Sequence, residues 1–219
     1  MISKLFFFFL LLLVGLLKAV SALNIVLPGG SGALGKGLAA KLGRHHQVTI
    51  LSRNAFLASA PNRVTEVFGW VGKSFLGKHP HVTIRDWDGG DLLDIVGCDW
   101  MGWQQDTLAT ADVVVNLVGG YTEQRTMATE RIVRESISVN NRNALQVVVS
   151  PTEQDFARVS SPGAITAKKE RVRLCESMVE SNCLNSVCVR LDANRLEENC
   201  EKLKTIIDDY EASLAKQQQ

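Results

Sequence analysis

Aromatic residues make up only 6% of the 219-residue chain, and tyrosine occurs just twice, at Tyr121 and Tyr210. Few phenols are therefore on hand for acid–base work. Charge is nearly balanced, 24 Lys+Arg against 23 Asp+Glu for a formal net charge of +1, so the chain has no basic face of the kind nucleic acid requires, and that class of partner is excluded. The five cysteines, Cys98, Cys175, Cys183, Cys188 and Cys200, have no metal-ligand rhythm and leave one without a mate. They support neither a zinc site nor a disulfide framework. Buried free thiols are the plain reading, with a Cys183–Cys188 bridge as the alternative in an oxidising lumen. His45, His46, His79 and His81 fall in pairs at turns or a strand start, without ligand spacing, and are expected to be solvated, with no metal site.

Only one long apolar run occurs. Lys4 precedes Leu5 to Leu17, and Ala22 ends a segment with Val20 two positions earlier. This is the pattern of a secretory signal peptide cut after Ala22. The run is shorter than the roughly 20 residues that span a bilayer, which disfavours an uncut anchor. The secretory pathway or the ER lumen is the expected destination, and a plastid reached through a signal-peptide route is the alternative. The division that follows is a signal peptide over 1–22, a nucleotide-binding domain over 23–193, and a C-terminal helix and tail over 194–219.

What the chain does have is the stretch Asn24-Ile25-Val26-Leu27-Pro28-Gly29-Gly30-Ser31-Gly32-Ala33-Leu34-Gly35, an apolar strand that breaks into a glycine turn and opens a helix. Glycine at 29 and 30 permits the tight turn, Gly32 leaves no side chain between backbone and phosphate, and Gly35 lets helix press on strand. The amides around Ser31, Ala33 and Leu34 then face an anion. A helix expected from Ala33 to Arg44 and a strand at Gln47 to Leu51 complete a strand–helix–strand unit, the context this motif needs to be a pyrophosphate site.

Ser52, Arg53 and Asn54 follow the second strand, where an adenosine ribose would lie. An NAD binder normally places Asp or Glu there. Arg53 instead suits the 2′-phosphate of NADP, because a guanidinium offers phosphate a forked set of donors. Residues 55–80 are expected to form a loop with one short helix and carry no chemistry. His81 to Arg85 is a third strand, with Asp86 and Trp87 along the adenine edge. Weak helical pieces at 89–97 and 103–110 lead to the buried strand from Ala111, which ends at Val118, Gly119 and Gly120 beside the nicotinamide. Asn116 inside it must find hydrogen bonds and is expected to tie neighbouring strand ends. A helix at 126–140, a fifth strand at 145–150, a helix at 164–180 and a sixth strand at 185–191 continue the alternation. The pattern specifies an α/β fold: a three-layer, doubly wound parallel sheet of about six strands. Leu196, Cys200, Leu203, Ile207, Tyr210 and Leu214 repeat in a four-three rhythm, an amphipathic helix that either docks on its own sheet or pairs two subunits as a homodimer.

The residues Pro28 to Gly35, Leu51-Ser52-Arg53 and Val115-Asn116-Leu117-Val118-Gly119-Gly120 together resemble the short-chain dehydrogenase/reductase superfamily, and within it the extended and atypical NAD(P)-dependent epimerase/dehydratase-like members. Asn116 to Gly119 followed by Arg125 to Arg131 looks most like the divergent epimerase group. The resemblance covers about residues 24 to 191. It implies a dinucleotide cofactor, NADP or alternatively NAD, an unidentified small-molecule substrate, and an oxidoreductase or epimerase activity. The superfamily's Tyr-x-x-x-Lys pair is missing, because the positions four before Lys168 and Lys169 are Ala164 and Ile165. Weak catalytic candidates remain in Tyr121, Lys168 and Ser150, the last standing where the superfamily's substrate-orienting serine starts and also close to the cofactor. The alternative is a non-catalytic dinucleotide-binding sensor or scaffold.

Overall fold

A computed structural model describes residues 22–64, 69–89, 102–119, 123–140, 143–159 and 162–217. The signal-peptide stretch, the helical piece at 89–97 beyond Gly89, and Gly120 and Tyr121 lie outside the described residues. Among the described residues no helix is long and apolar enough to cross a membrane.

Six strands form one sheet: β1 (Asn24–Pro28), β2 (Gln47–Ser52), β3 (Val82–Asp86), β4 (Val113–Asn116), β5 (Leu145–Pro151) and β6 (Ser186–Leu191). Every pairing is parallel, in the order β3-β2-β1-β4-β5-β6. The order reverses between β1 and β4, which opens a crevice beyond the carboxyl ends of those two strands.

Side chains alternate along β1, so Ile25 and Leu27 enter one buried cluster and Val26 another. The first face is covered by α1 (Ala33–Lys41) and the C-terminal helix α7 (Leu196–Gln217). The opposite face is covered by a π-helical turn at Gln104–Leu108, α4 (Glu123–Asn140) and α6 (Pro162–Asn182). In the π-turn the Thr107 hydroxyl donates to the Trp103 carbonyl at 2.6 Å. Asn140 Nδ2 donates to the carbonyls of Leu108 (2.9 Å) and Ala111 (2.7 Å), fixing the turn to α4.

The region from 55 to 80 holds two short helices rather than one, α2 (Ala55–Ser59) and α3 (Lys73–Lys78). Between them Val71, 1% exposed, enters the core, and its amide donates to the Ala58 carbonyl at 2.8 Å. The first helix ends at Lys41, short of Arg44, because the chain turns through Gly43 at φ +75°. A helix not anticipated after Pro151, α5 (Glu153–Val159), starts where Asp155 accepts hydrogen bonds from the Thr152 amide (3.0 Å) and hydroxyl (2.7 Å).

The seam of α7 docks on its own sheet. Cys200, Leu203 and Ile207 are buried, and Tyr210 and Leu214 pack against the same cluster. Of the two readings given for this seam, docking on the chain's own sheet is the one the structure shows. Lys41 at the end of α1 joins the two helices by binding Glu197 (2.6 Å) and Glu201 (2.5 Å).

One expectation about side chains is also corrected. His46 and His81 are 1% and 5% exposed, because each finds a backbone partner: the Leu23 amide donates to His46 Nδ1 at 3.2 Å, and His81 Nε2 lies 3.2 Å from the Ala39 carbonyl. Cys183 and Cys188 are not joined by a disulfide, in line with the thiol reading; burial and the Glu180 carboxylate push Cys188 up to about 12, which removes the thiolate an exchange reaction needs.

Two measurements check this architecture. Leu203→Ala, at a fully buried position, is expected to lower unfolding free energy by about 2–5 kcal/mol in urea titrations. Burial, reinforced by neighbouring His45, depresses His46 from 6.5 to about 4. Below pH 6.5 the unfolded chain takes up a proton that the folded chain refuses, so stability falls as pH drops through that window. His46→Gln is expected to make the decline shallower in denaturation midpoints measured across it.

Candidate functional site

The site begins with the turn at the end of β1. Gly29 adopts φ +71°, and its amide donates to the Leu51 carbonyl at 3.0 Å while the Gly30 amide donates to Leu27 at 3.0 Å. A Cβ on Gly29 would stand 2.8 Å from Val118 Cα, so the turn lies directly on the end of β4. A Cβ on Gly35 would stand 2.1 Å from the Gly30 carbonyl oxygen. These contacts set turn, helix and neighbouring strand at fixed separations.

Gly32 caps α1 without any side-chain hydrogen bond, and the first turn of the helix holds no acid. The positive end of the helix dipole is thus left for an anion from outside. A Cβ on Gly32 or Gly119 would meet nothing within 4 Å. Both glycines line one crevice of about 370 Å³, together with Gly29, Ala33, Leu34 and Gly35 from the turn and Leu117 and Val118 from β4's end. That volume is in the range of small-ligand pockets. An uncluttered backbone cradle with an uncapped helix start fits a pyrophosphate, and the glycine at β4's end fits close approach of a ring.

The other wall was less visible in the sequence. Arg125 from α4, Val149, Ser150 and Pro151 from β5, Leu191 and Ala193 after β6, and Leu196 and Asn199 from α7 line it. Arg125 is 5% exposed and donates through Nη2 to the Val149 carbonyl at 2.6 Å. Ser150 is 1% exposed, and its Oγ has no hydrogen-bond partner among the described residues. Asn199 Nδ2 donates to the Asp192 carbonyl at 2.7 Å, holding the start of α7 against the turn after β6.

Asn116 does not join strand to strand. Its Nδ2 donates to Thr129 Oγ1 at 3.0 Å and its Oδ1 accepts the Val118 amide at 3.1 Å, so it shapes the glycine-bearing turn of its own strand and ties it to α4.

The residues expected around the adenosine lie outside the crevice lining. Ser52 is buried, and its Oγ accepts the Asn54 amide at 3.3 Å. Asn54 Oδ1 caps α2 by accepting from the Leu57 amide at 2.9 Å, and Asp86 Oδ1 accepts from Ala55 at 2.6 Å. These three side chains shape the strand ends. Arg53 is exposed, with its stem across Gly89, whose Cβ would come within 2.6 Å of Arg53 Cδ. Trp87, expected along the adenine edge, is 3% exposed and meets Trp103 edge to face at 5.5 Å, so its ring is core packing. Lys168 is not among the lining residues, and neighbouring Lys169 binds Glu153.

A feature with no sequence signal covers the turn from the side. The Trp70 amide donates to the Ser31 carbonyl at 3.0 Å, and Gly69, at φ +70°, lies against the Ser31 hydroxyl. Lys36 from α1 sits 4.9 Å over the Trp70 ring. Ser31 is consequently 7% exposed and directed into this clasp.

At the opposite end of the sheet, ligand atoms of His45, His46 and Glu211 lie within 4.8 Å of one another, a grouping hidden in the sequence by distance. His46 Nδ1 already accepts the Leu23 amide.

The two kinds of glycine separate by substitution. Gly35→Ala is expected to unfold the domain or cost more than about 3 kcal/mol, because its Cβ meets backbone that cannot yield. Gly32→Ala, with open space ahead of it, is expected to change stability by less than about 1 kcal/mol. Urea titrations of both variants check this.

A short-chain dehydrogenase from Rhodopseudomonas palustris matches with a TM-score of 0.54 at 13% identity, over 82% of this chain and 90% of that one. A Corynebacterium glutamicum protein assigned to the short-chain dehydrogenases/reductases matches with a TM-score of 0.51 at 17% identity, over 84% and 91%. The Bordetella bronchiseptica enzyme WbmF, whose structure is a complex with NAD+ and UDP, matches with a TM-score of 0.48 at 15% identity, over 79% of this chain and 50% of WbmF. The chain thus spans about half the length of that enzyme. No protein-family model matches the sequence, and no curated protein does. The fold is that of the short-chain dehydrogenases.

Proposed function

We propose that the protein is an extended or atypical relative of the short-chain dehydrogenases that binds NADP in the crevice between β1 and β4. The observation that carries this reading is the cradle itself: Gly32 and Gly119 face one cavity across the uncapped start of α1. A diphosphate would be held by the α1 amides, with the nicotinamide towards Val118 and Gly119. Arg53, exposed at the end of β2 where no carboxylate stands between Ser52 and Asn54, supports the 2′-phosphorylated form over NAD.

The cofactor, when bound, supplies hydride transfer to or from a carbonyl carbon. This chain's own contribution near that end is the Ser150 hydroxyl, buried and unpartnered, which would hydrogen-bond a carbonyl oxygen and orient it. No tyrosine or lysine lines the crevice among the described residues. That lining favours, as the second reading, a dinucleotide-binding protein without turnover.

Titration with NADPH, followed by its fluorescence, is expected to saturate, and Gly32→Val, which puts a branched side chain into the cradle, to abolish binding while leaving the fold intact. Heatless, spectrally silent titrations with NADPH and NADH alike would refute the reading. Arg53→Glu is expected to move preference from NADP towards NAD by about tenfold or more. Oxidation of NADPH with any member of a carbonyl panel separates enzyme from sensor.

A further inference from the structure

We propose that His45, His46 and Glu211 form a binding site for one divalent transition-metal ion of the zinc type, and that the ion ties α7 to the turn that leads into β2. The site stands apart from the crevice and does not depend on the dinucleotide reading.

The three side chains come from two distant places in the chain. His45 and His46 occupy the turn between α1 and β2, and Glu211 stands towards the end of α7. One ligand atom from each lies within 4.8 Å of the other two. The imidazoles are stacked, with ring centroids 3.8 Å apart. Gly43, at φ +75°, turns the chain here and leaves space for the His45 ring, since a Cβ on it would stand 3.2 Å from His45 Nδ1. His45 is exposed and Glu211 half-buried, so both can close the remaining distance to the roughly 2 Å of a metal–ligand bond.

Glu211 supplies the observation that calls for a cation. Its Oε1 is buried and has no hydrogen-bond partner among the described residues. A carboxylate oxygen withdrawn from water in this way needs a positive partner. His46 does not provide that charge, because burial pushes it down to about 4 and leaves the ring neutral at pH 7. A neutral imidazole is what a metal ion requires. Two imidazole nitrogens and one carboxylate oxygen suit zinc and its neighbours in the transition series, whereas magnesium and calcium prefer oxygen alone. Three protein ligands leave the fourth tetrahedral position to water.

The lone pair of His46 already has a claimant. Only one nitrogen of a neutral imidazole accepts, and here the Leu23 amide donates to Nδ1 at 3.2 Å. A metal on Nδ1 displaces that amide, and a metal on Nε2 drives the ring proton onto Nδ1, facing it. Either way the Leu23 bond opens. The competition keeps affinity moderate, and it makes the residue before β1 a reporter of metal binding.

Calorimetric titration of the whole, chelator-treated protein with zinc chloride, and separately with magnesium chloride, tests the proposal. One zinc per chain is expected to bind with a dissociation constant below about 100 μM, while magnesium gives no saturable heat. His45→Ala and Glu211→Gln are each expected to weaken zinc by about tenfold or more, whereas His79→Ala, whose ring stacks on Phe75 away from the cluster, changes it by less than about twofold. In proton–nitrogen correlation spectra the Leu23 amide is expected to shift and to lose exchange protection as zinc is added. Absence of saturable zinc heat, unaltered zinc affinity in His45→Ala or in Glu211→Gln, or a Leu23 amide unmoved at zinc saturation would overturn the proposal. Should a variant not fold, the comparison of zinc with magnesium and the Leu23 signal, both read on the unsubstituted protein, decide it.

Discussion

The distance between Gly35 and the Gly30 carbonyl governs everything built above it. With a Cβ there standing 2.1 Å from an oxygen, α1 reaches its observed depth against β1 only because the position has no side chain. That depth brings Leu38 and Ala39 into the core and aims the helix start at the crevice. Gly29 repeats the arrangement towards β4, where Val118 lies against it. Two absent methyl groups thus set the spacing of turn, helix and strand, and the cradle is what those spacings leave open.

The sheet and this turn were legible in the amino-acid sequence because both are written locally. Strands buried on both faces read as unbroken apolar runs such as Val113-Val114-Val115, and the glycine turn stands between two of them. What was not legible depends on partners far along the chain. Val71 lies in a stretch rich in glycine and lysine, and its burial follows from α2 folding back to offer the Ala58 carbonyl. His46 and His81 look like surface residues until Leu23 and Ala39 supply polar partners in the core. Trp87 stands where a nucleotide reader might be sought, yet Trp103, sixteen positions on, takes its ring. The β5 wall is hidden for a similar reason. Arg125 is one cation in a polar helix start, and its bond to the Val149 carbonyl across the sheet end, distant in sequence, holds it at the cavity.

The two ends of the crevice are built on opposite principles. At the glycine turn the surface offered is backbone bared by missing side chains, so under the proposed function a diphosphate there would meet amides alone. Arg53, the residue proposed above to read the ribose phosphate, stands outside that cavity lining. At the β5 end the polar groups that line the cavity are side chains, buried and few: Arg125, held by the Val149 carbonyl, and Ser150. The clasp of Gly69 and Trp70 on Ser31 adds stiffness to the first end by holding the turn before any ligand arrives.

The C-terminal helix carries a double duty. Its middle is cemented into the core through Leu203 and Ile207, while its first turn supplies Leu196 and Asn199 as a rim of the crevice. Insertions in the short connection Asp192 to Arg195 would therefore move the rim outward while the sheet stays put. Descendants of this chain have there an inexpensive route to larger guests, open to drift without any threat to the fold.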